Sequence, residues 1–224
     1  MILLAIDTAA NLGAASIHDT AGGHELGRAV HDIGSGHAEQ LMPVIGEALA
    51  AAGKQLSDIG RVVVSTGPGS FTGIRVGVSA ARGFALALKI PAVGVTTLEA
   101  LAEACRPQAD GRPVLVVLDA GRGEFHAALY DGLGKLRYGP AMTSLSTLAD
   151  IAREQRPLLA GSAARQVAEA TGGGLDIGAE AATADIAVYA RLGTGKDAAA
   201  GRPKPTYLRG ADAKPQAGFV LPRL

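Results

Sequence analysis

Short apolar runs separated by turn residues make up the N-terminal part of the chain, and this pattern is typical of β-strands. The apolar run Ile2–Asp7 comes first, and two alternating segments, Ala14–Asp19 and His24–Ile33, follow it. Glycine, asparagine and threonine lie between these segments, where tight turns favour them. The pattern therefore predicts three strands in an antiparallel meander.

The spacing of apolar residues then changes from two to three or four, which indicates helices. The segment Gly34–Gly53 has this helical character, with apolar residues from Leu41 to Ala52, Ser35 as a possible N-cap and Gly53 as a C-terminal stop. So does, approximately, Thr72–Leu88, and the apolar run Arg61–Thr66 lies between the two segments. A short apolar segment, Pro91–Val95, precedes a further helical segment, Thr96–Cys105. We expect the first half of the chain to continue as helix, strand, helix, strand and helix.

The second half of the chain repeats this order of elements. Three alternating segments lie between Pro113 and Met142, and the pattern then predicts a helix at Ser144–Gln155. A short strand at Pro157–Gly161 and a helix at Ser162–Ala170 follow. Both halves therefore read as three strands, a helix, a strand and a helix.

Asp7 and Asp119 mark the same point in the two halves, because each ends an apolar strand and precedes a turn that contains glycine. We therefore predict an α/β fold with duplicated β-β-β-α-β-α lobes, although two α/β modules can also look alike by chance. The predicted divisions are an N-terminal lobe at 1–106, a C-terminal lobe at 111–200 and a basic tail rich in proline and glycine at 201–224.

Composition and charge narrow the class of protein. The chain has 224 residues, 48% of them hydrophobic, so it can bury a sizeable core. Lysine plus arginine and aspartate plus glutamate both number 21, and this balance argues against a protein that grips nucleic acid unaided. The single cysteine, Cys105, allows no internal disulfide. With no signal-peptide pattern and no uncharged apolar run of about 18 residues, we expect a cytoplasmic protein without a membrane segment.

The segment "STGPGSFTGIRVG", Ser65–Gly77, lies between a predicted strand and a predicted helix, which is where nucleotide-binding loops occur. It lacks the lysine that a P-loop places after its last glycine, and Thr72 stands where a dinucleotide-binding fingerprint needs its third glycine. Gly67 and Gly69 permit positive φ, Pro68 stiffens the turn, and Ser70 or Thr72 can cap the next helix. We therefore expect a shaping loop and not a phosphate site.

Small residues also form a stripe inside the second predicted helix, since Gly73, Gly77 and Ala81 are spaced four apart. Each glycine in a helix interior costs roughly 1 kcal/mol relative to alanine. Such a cost suggests that another backbone approaches this face closely. The spacing leaves open whether that backbone belongs to this chain or to another.

The segment "GPGSFTGIRVGVSAARGFALAL" resembles the signature of the TsaB family, the bacterial scaffold subunit of the machinery that forms threonylcarbamoyladenosine in tRNA. The segments "LLAIDTA", "HAEQLMPVI" and "PTYLR" also resemble that family and occur in its order, so the similarity spans nearly the whole chain. The residues that carry the signature loop are Gly67, Pro68, Gly69, Ser70, Phe71, Thr72, Gly73 and Arg75.

The resemblance implies an actin/sugar-kinase/Hsp70-like (ASKHA) architecture and a set of partners. It implies that the protein acts beside TsaD, the catalytic paralogue, and TsaE, an ATPase. TsaD joins threonylcarbamoyl to the adenosine next to the anticodon in tRNAs that read ANN codons. The resemblance also implies a homodimer in the absence of TsaD, and contact with tRNA only through the complex. Direct contact between the basic tail and tRNA is a weaker alternative.

The first two helices are the partner surface that this resemblance implies, because two helices can pair with two others as a four-helix bundle. Both helices can instead simply cover the sheet of the N-terminal lobe, and one face of each must do so. The predicted interface residues are Ala38, Leu41, Met42, Ile45, Leu49, Ile74, Val76, Gly77, Ala80, Ala81 and Phe84.

The sequence lacks the residue patterns of the metal, nucleotide and hydrolase sites that it could be expected to contain. TsaD-like members bind a metal through two histidines spaced i, i+4, whereas His37 is followed at that spacing by Leu41, so we expect His37 to be a surface or capping residue. Asp7 and Asp119 occupy the positions of actin-like nucleotide-site acids, but "TAANLG" after Asp7 lacks the close glycine of a phosphate-binding turn. Neither an H-E-x-x-H nor a G-x-S-x-G motif, as hydrolases would need, occurs.

We therefore expect a degenerate nucleotide cleft, with no catalytic residue, no metal and no cofactor in this chain, and with ATP and metal in the partner subunits. The alternative is a self-sufficient actin-fold ATPase or small-molecule kinase, against which the missing glycine argues.

Overall fold

Two mixed β-sheets form the framework of the computed structural model, which describes residues 1–34 and 36–208. The strands of the first sheet are β1 (Ile2–Asp7), β2 (Leu12–Asp19), β3 (His24–Asp32), β4 (Ile59–Ser65) and β5 (Ala92–Val95). Their order is β3-β2-β1-β4-β5. The first three strands are antiparallel, and β1, β4 and β5 are parallel.

The second sheet repeats this arrangement with one strand fewer among the described residues. Its strands are β6 (Val114–Asp119), β7 (Glu124–Tyr130), β8 (Leu136–Ser144) and β9 (Leu158–Ala160). Their order is β8-β7-β6-β9, with β6 and β9 parallel. The order 3-2-1-4 thus occurs twice, and the predicted α/β fold with duplicated lobes is confirmed.

Helices lie on both faces of the two sheets. They are α1 (His37–Ala51), α2 (Phe71–Leu88), α3 (Thr97–Ala109), α4 (Leu145–Gln155), α5 (Ala164–Ala170) and α6 (Ile186–Gly195). Two 3₁₀ turns, Leu56–Asp58 and Ala198–Ala200, complete the described elements. Three side-chain caps fix the starts of predicted helices, since Ser70, Thr96 and Ser144 each accept a hydrogen bond from a backbone amide three residues on.

Alternation along β1 divides the N-terminal core into two layers. Leu4 and Ile6 point to the face that α1 and α2 cover, and Leu3 and Ala5 point to the face that α6 covers. All four side chains are fully buried, as expected for a strand with helices on both sides.

Each sheet is covered in part by a helix from the other half of the sequence. Helix α3 follows the first sheet in the chain but packs on the second, through residues such as Leu98 and Leu101. Helix α6 follows the second sheet but packs on the first, through Val188 and Tyr189. The division at 1–106 and 111–200 stays a prediction, and α6, which the sequence analysis did not predict, lies against the first of these lobes.

Helix α2 is long and apolar enough, by length and composition alone, to cross a membrane. It packs on the first sheet, where Ile74, Val78 and Phe84 are buried in the core. It also carries Arg75 and Arg82 on its exposed side. The helix is therefore explained as a core helix, while a cytoplasmic location stays a prediction.

Candidate functional site

A cleft of about 1080 Å³ lies where β1 and β6 end, which is the usual place for ligand sites in α/β folds. Its lining also includes the turn after β1, the signature loop, His126, Ser162, residues 181–183 and residues 206–208. The cleft therefore brings together the signature loop, Asp119 and part of the "PTYLR" segment, which the sequence analysis singled out.

The signature loop, Gly67–Gly73, holds the turn after β1 in place. The backbone amide of Ser70 donates to the carbonyl of Ala9 at 2.7 Å, and the Ser70 hydroxyl accepts from the Gly73 amide at 3.2 Å. Gly67 has a φ of 89°, a left-handed value that glycine adopts without strain. These bonds turn the chain and start α2, as predicted for a shaping loop.

The two glycines of the small-residue stripe of α2 face Thr8, the first residue after β1 in this same chain. A Cβ atom added to Gly73 would overlap the carbonyl oxygen of Thr8, and one added to Gly77 would overlap the Thr8 hydroxyl. The Thr8 hydroxyl also donates to the carbonyl of Gly73 at 2.7 Å. The backbone whose approach the glycines allow is therefore that of the turn after β1.

Asp7 lies beneath the cleft wall, with 2% of its surface exposed. One of its carboxylate oxygens accepts from the Ala9 amide at 2.9 Å, and the other accepts from the Thr183 hydroxyl at 2.6 Å. Burial raises the pKa of Asp7, because water no longer stabilises the charged form. Both oxygens thus accept hydrogen bonds within the protein, and Asp7 is not among the residues that line the cleft.

Thr183 links Asp7 to helix α6. Its hydroxyl has one proton, which it donates to Asp7, so the Tyr189 hydroxyl donates to Thr183 across 2.7 Å. Asp185, two residues on, caps α6 and pairs with Arg28 of β3 at 2.9 Å. This chain of bonds fixes residues 181–185 over the end of the first sheet.

Asp119, at the matching position of the second lobe, is exposed on the cleft wall. Its carboxylate accepts from the Gly121 amide at 2.7 Å, and its own amide donates to the Ser162 hydroxyl at 3.2 Å. Of the two acids predicted to face a degenerate nucleotide cleft, the structure therefore places Asp119 on its wall and Asp7 behind it. The expectation of weak or no nucleotide binding in this cleft stays a prediction.

The predicted interface residues divide into a buried and an accessible set. Packing on the first sheet buries six of them, which leaves them unavailable to a partner: Leu41, Ile45, Ile74, Gly77, Ala81 and Phe84. The accessible ones are exposed or half-buried: Ala38, Met42, Leu49, Val76 and Ala80. The interface assignment stays a prediction for the five accessible residues. For the six buried residues it is wrong, because they belong to the core.

The expectation that His37 is a surface or capping residue is wrong. Its side chain is 2% exposed, and Nε2 donates to the carbonyl of Ala10 at 2.9 Å. The sequence shows His37 at the start of a helix but not the turn that packs against it. His37 donates to the carbonyl of Ala10 and Ser70 donates to that of Ala9, so the two residues together fix the turn after β1.

A cluster of Phe71, Arg75 and Tyr207 at the cleft mouth was missed by the sequence analysis. The Arg75 guanidinium carbon lies 3.7 Å from the centre of the Phe71 ring, and Nε donates to the Tyr207 hydroxyl at 2.7 Å. Both rings are more than half exposed. The i, i+4 spacing of Phe71 and Arg75 is the only sequence signal for the cluster, because Tyr207 joins it from a distant segment.

Metal-binding groups do not converge among residues 1–34 and 36–208, where no cluster holds three or more His, Cys, Asp or Glu side chains. Cys105 is buried.

Comparison with known proteins relates this chain to tRNA modification proteins. The family model described as TsaD, tRNA N6-adenosine threonylcarbamoyltransferase, matches residues 31–192. The tRNA threonylcarbamoyladenosine biosynthesis protein TsaB of Escherichia coli K12 is 36% identical over 94 residues, which are 42% of this chain and 41% of that protein. A tRNA N6-adenosine threonylcarbamoyltransferase of Trichlorobacter lovleyi is 36% identical over 152 residues, or 61% of this chain and 44% of that one.

The fold has a counterpart among solved structures. A crystal structure of a Pseudomonas aeruginosa protein with similarity to peptidase YeaZ superposes with a TM-score of 0.72 at 24% identity, covering 93% of this chain and 99% of that one. The matches to the two curated relatives, in contrast, span less than half of each relative's length.

Proposed function

This chain belongs to the TsaD family, within which it is TsaB/YeaZ-like, and on that premise we propose that it is a non-catalytic scaffold subunit. In this role it binds and activates the catalytic paralogue TsaD, together with the ATPase TsaE. The reaction that it supports is threonylcarbamoylation of the adenosine next to the anticodon in tRNAs that read ANN codons.

The state of Asp7 is the observation that carries the non-catalytic part of the proposal. An acid that serves a nucleotide site must offer a carboxylate oxygen to the metal or its water ligands. Both oxygens of Asp7 instead accept hydrogen bonds from Ala9 and Thr183. The Thr8 and Ala9 amides also donate within the protein, to Ser65 and Asp7, so they are not available to a phosphate.

The outer face of α1 and α2 supports the scaffold part. The two helices cover the same face of the first sheet and contact each other. Their outer surface exposes Met42 by 54% and Leu86 by 73%, and exposed apolar side chains of this size are common in protein interfaces. TsaD occupies this face in the complex, and a second copy of the chain occupies it in a homodimer.

Activation follows if this surface binds the productive conformation of TsaD more tightly than the unproductive ones, which shifts TsaD toward the productive state. ATP and metal act in the partner subunits, and tRNA reaches this chain through the complex.

The alternative, a self-sufficient ATPase or small-molecule kinase, is favoured by one observation. The cleft of about 1080 Å³ is large enough for a nucleotide, since ligand pockets usually measure about 300–1,000 Å³. The internal bonding of Asp7 and the turn after β1 weighs against it.

Size-exclusion chromatography of this chain with TsaD tests the proposed surface. Met42→Arg should abolish co-elution at micromolar concentrations, because it places a charge in the middle of an apolar contact. The free energy of unfolding should change by less than about 0.5 kcal/mol, since the Met42 side chain is already mostly exposed.

Gln166→Arg is the matched control, because Gln166 is an exposed helical residue of the other lobe. It should co-elute with TsaD like the parent chain. Equal co-elution of both variants would refute the assignment of this face, and failure of the parent chain to bind TsaD would refute the proposed function.

A further inference from the structure

Three planar side chains lie side by side in contact with solvent at the cleft mouth. Phe71 and Tyr207 have 58% and 51% of their surface exposed, and their ring centres are 5.7 Å apart. The Arg75 guanidinium carbon lies 3.7 Å from the centre of the Phe71 ring and 5.5 Å from that of the Tyr207 ring. A further planar group can stack on such a cluster, since both aromatic rings and guanidinium planes accept stacking partners.

Arg75 keeps most of its hydrogen-bonding capacity for another molecule. Its Nε donates to the Tyr207 hydroxyl at 2.7 Å. Within residues 1–34 and 36–208, no carboxylate pairs with this guanidinium, which is exposed on α2. Its two terminal nitrogens are therefore available to an anion or to an acceptor on a base.

The stretch of chain that leads to Tyr207 places two more cations at the surface. Pro203 is buried against β5, and the Thr206 amide donates to the carbonyl of Thr66 at 2.8 Å. Arg202 and Lys204, on either side of the buried proline, are both exposed. The fold thus fixes the backbone here and turns the two charged side chains outward.

The charges around the cluster are mostly positive, although the whole chain has no net charge. Lys204 precedes Tyr207 by three residues and Arg202 precedes it by five, so the chain places them at most about 11 and 18 Å from it. The described lining of the cleft contains one carboxylate, that of Asp119. Exposed cations without acidic partners favour an anionic ligand.

We propose that these five residues form a stacking surface that binds unpaired nucleotides of RNA, and we define this surface as Phe71, Arg75, Arg202, Lys204 and Tyr207. Proteins hold single-stranded RNA by stacking its bases on aromatic rings or guanidinium planes, while nearby cations contact the phosphates. The rings alone would also suit a protein partner, but the unpaired cations beside them favour phosphates.

The identity of the RNA rests on the proposed function, in which the ligand is the tRNA that TsaD modifies. TsaD acts on the adenosine next to the anticodon, and the stacking surface contacts other unpaired nucleotides of the same tRNA. This contact is made within the complex, because a chain without net charge binds RNA weakly by itself.

Photocross-linking locates the contact. Ultraviolet irradiation of the chain with TsaD, TsaE and a tRNA that reads ANN codons should link the RNA to Phe71 or Tyr207, because a stacked base lies against the ring. Mass spectrometry of the peptides identifies the linked residue. Cross-links confined to other parts of this chain would overturn the proposal, and so would their absence from a sample that modifies the tRNA.

Two substitutions of Tyr207 separate stacking from positioning. Tyr207→Ala should raise the KM for tRNA about tenfold at unchanged kcat, because one stacked base is lost. Tyr207→Phe should stay within about twofold of the parent chain, since it loses the bond from Arg75 but keeps the ring. Equal losses would show that Tyr207 only positions its segment. Loss of co-elution of Tyr207→Ala with TsaD would assign the ring to a protein interface, and either result would overturn the proposal.

The salt dependence of tRNA affinity tests the two cations. Arg202→Gln combined with Lys204→Gln should flatten the slope of log affinity against log salt by about 0.7 for each lost phosphate contact. Lys135→Gln is the matched control, because Lys135 is an exposed cation in the turn between β7 and β8, at the opposite end of the second sheet from the cleft. Fluorescence anisotropy of labelled tRNA with the complex measures both. An unchanged slope in the double variant, or a comparable change in the control, would contradict phosphate contacts here.

Cross-linking of the isolated chain to a short oligoadenylate at low salt separates this proposal from the proposed function. Failure of the parent chain to bind TsaD would refute the proposed function, and the RNA site would then be decided by this measurement alone. A cross-link at Phe71 or Tyr207 supports the site, and no cross-link at either residue overturns it.

Discussion

The turns after β1 and β6 start with the same residue type, but the aspartate is buried in one and exposed in the other. Each follows an apolar strand that ends in aspartate, yet Asp7 is buried with both oxygens bonded, whereas Asp119 is exposed on the cleft wall. The signature loop and residues 181–185 cover the first turn, and the described residues place no such cover over the second. The comparison teaches that neighbours distant in sequence, and not position at a strand end, decide what an acidic side chain can do.

The segments that contact the two turns also differ in how closely they pack. The start of α2 packs against Thr8 so closely that Gly73 and Gly77 cannot carry side chains. In the second lobe, the Ser162 hydroxyl bonds the Asp119 amide at 3.2 Å from a position that is itself exposed. The start of the first turn, Asp7–Ala9, is therefore buried in the core, whereas Asp119 at the start of the second turn is exposed.

Removing each aspartate should give the largest contrast between the two turns. We expect Asp7→Ala to lower the free energy of unfolding by about 3 kcal/mol, because it leaves the buried Ala9 amide without an acceptor and removes the acceptor of the half-buried Thr183 hydroxyl. Asp119→Ala should cost less than about 1 kcal/mol, since water replaces the lost acceptor at an exposed site. Urea unfolding monitored by circular dichroism measures both. Similar losses for the two variants would show that the two turns do not differ as described.

Glycine substitutions within α2 should give a smaller contrast, with opposite signs. Gly73→Ala should destabilise the protein by about 2 kcal/mol, because the new Cβ overlaps the Thr8 carbonyl in a packed core. Gly83→Ala should stabilise it by up to about 1 kcal/mol, because Gly83 is exposed, has no neighbour within 4 Å of the added atom, and gains helix propensity. Thermal unfolding distinguishes these outcomes, and stabilisation by both changes would contradict close packing of the stripe on Thr8.

Much of the fold could be predicted from the sequence, because periodicity and capping are local. The three strands before α1, the repeat that starts at Pro113 and the cap at Ser70 all follow from residues near one another in the chain. The sequence of the signature loop also showed directly that it lacks the lysine of a P-loop. None of these features depends on which helices and strands contact each other in the fold.

Features that depend on distant contacts could not be predicted. His37 lies at a helix start, where an exposed position is usual, but the turn at Ala10 covers it. The inward side of α1 and α2 could not be told from the outward side, so Leu41 and Phe84 were assigned to an interface although they belong to the core. Helix α6 has many small residues and one charged residue, Arg191, and its contacts lie on the other lobe. The Asp7–Thr183 bond joins residues 176 positions apart, which no local pattern reveals.

The rate of tRNA threonylcarbamoylation by purified TsaD and TsaE, measured with ATP and increasing amounts of this chain, tests the central claim most directly. The account predicts a rate that rises with the chain and levels off near one chain per TsaD, and no product when the chain is incubated with ATP and tRNA alone. A full rate from TsaD and TsaE without the chain, or sustained ATP turnover by the isolated chain, would contradict it.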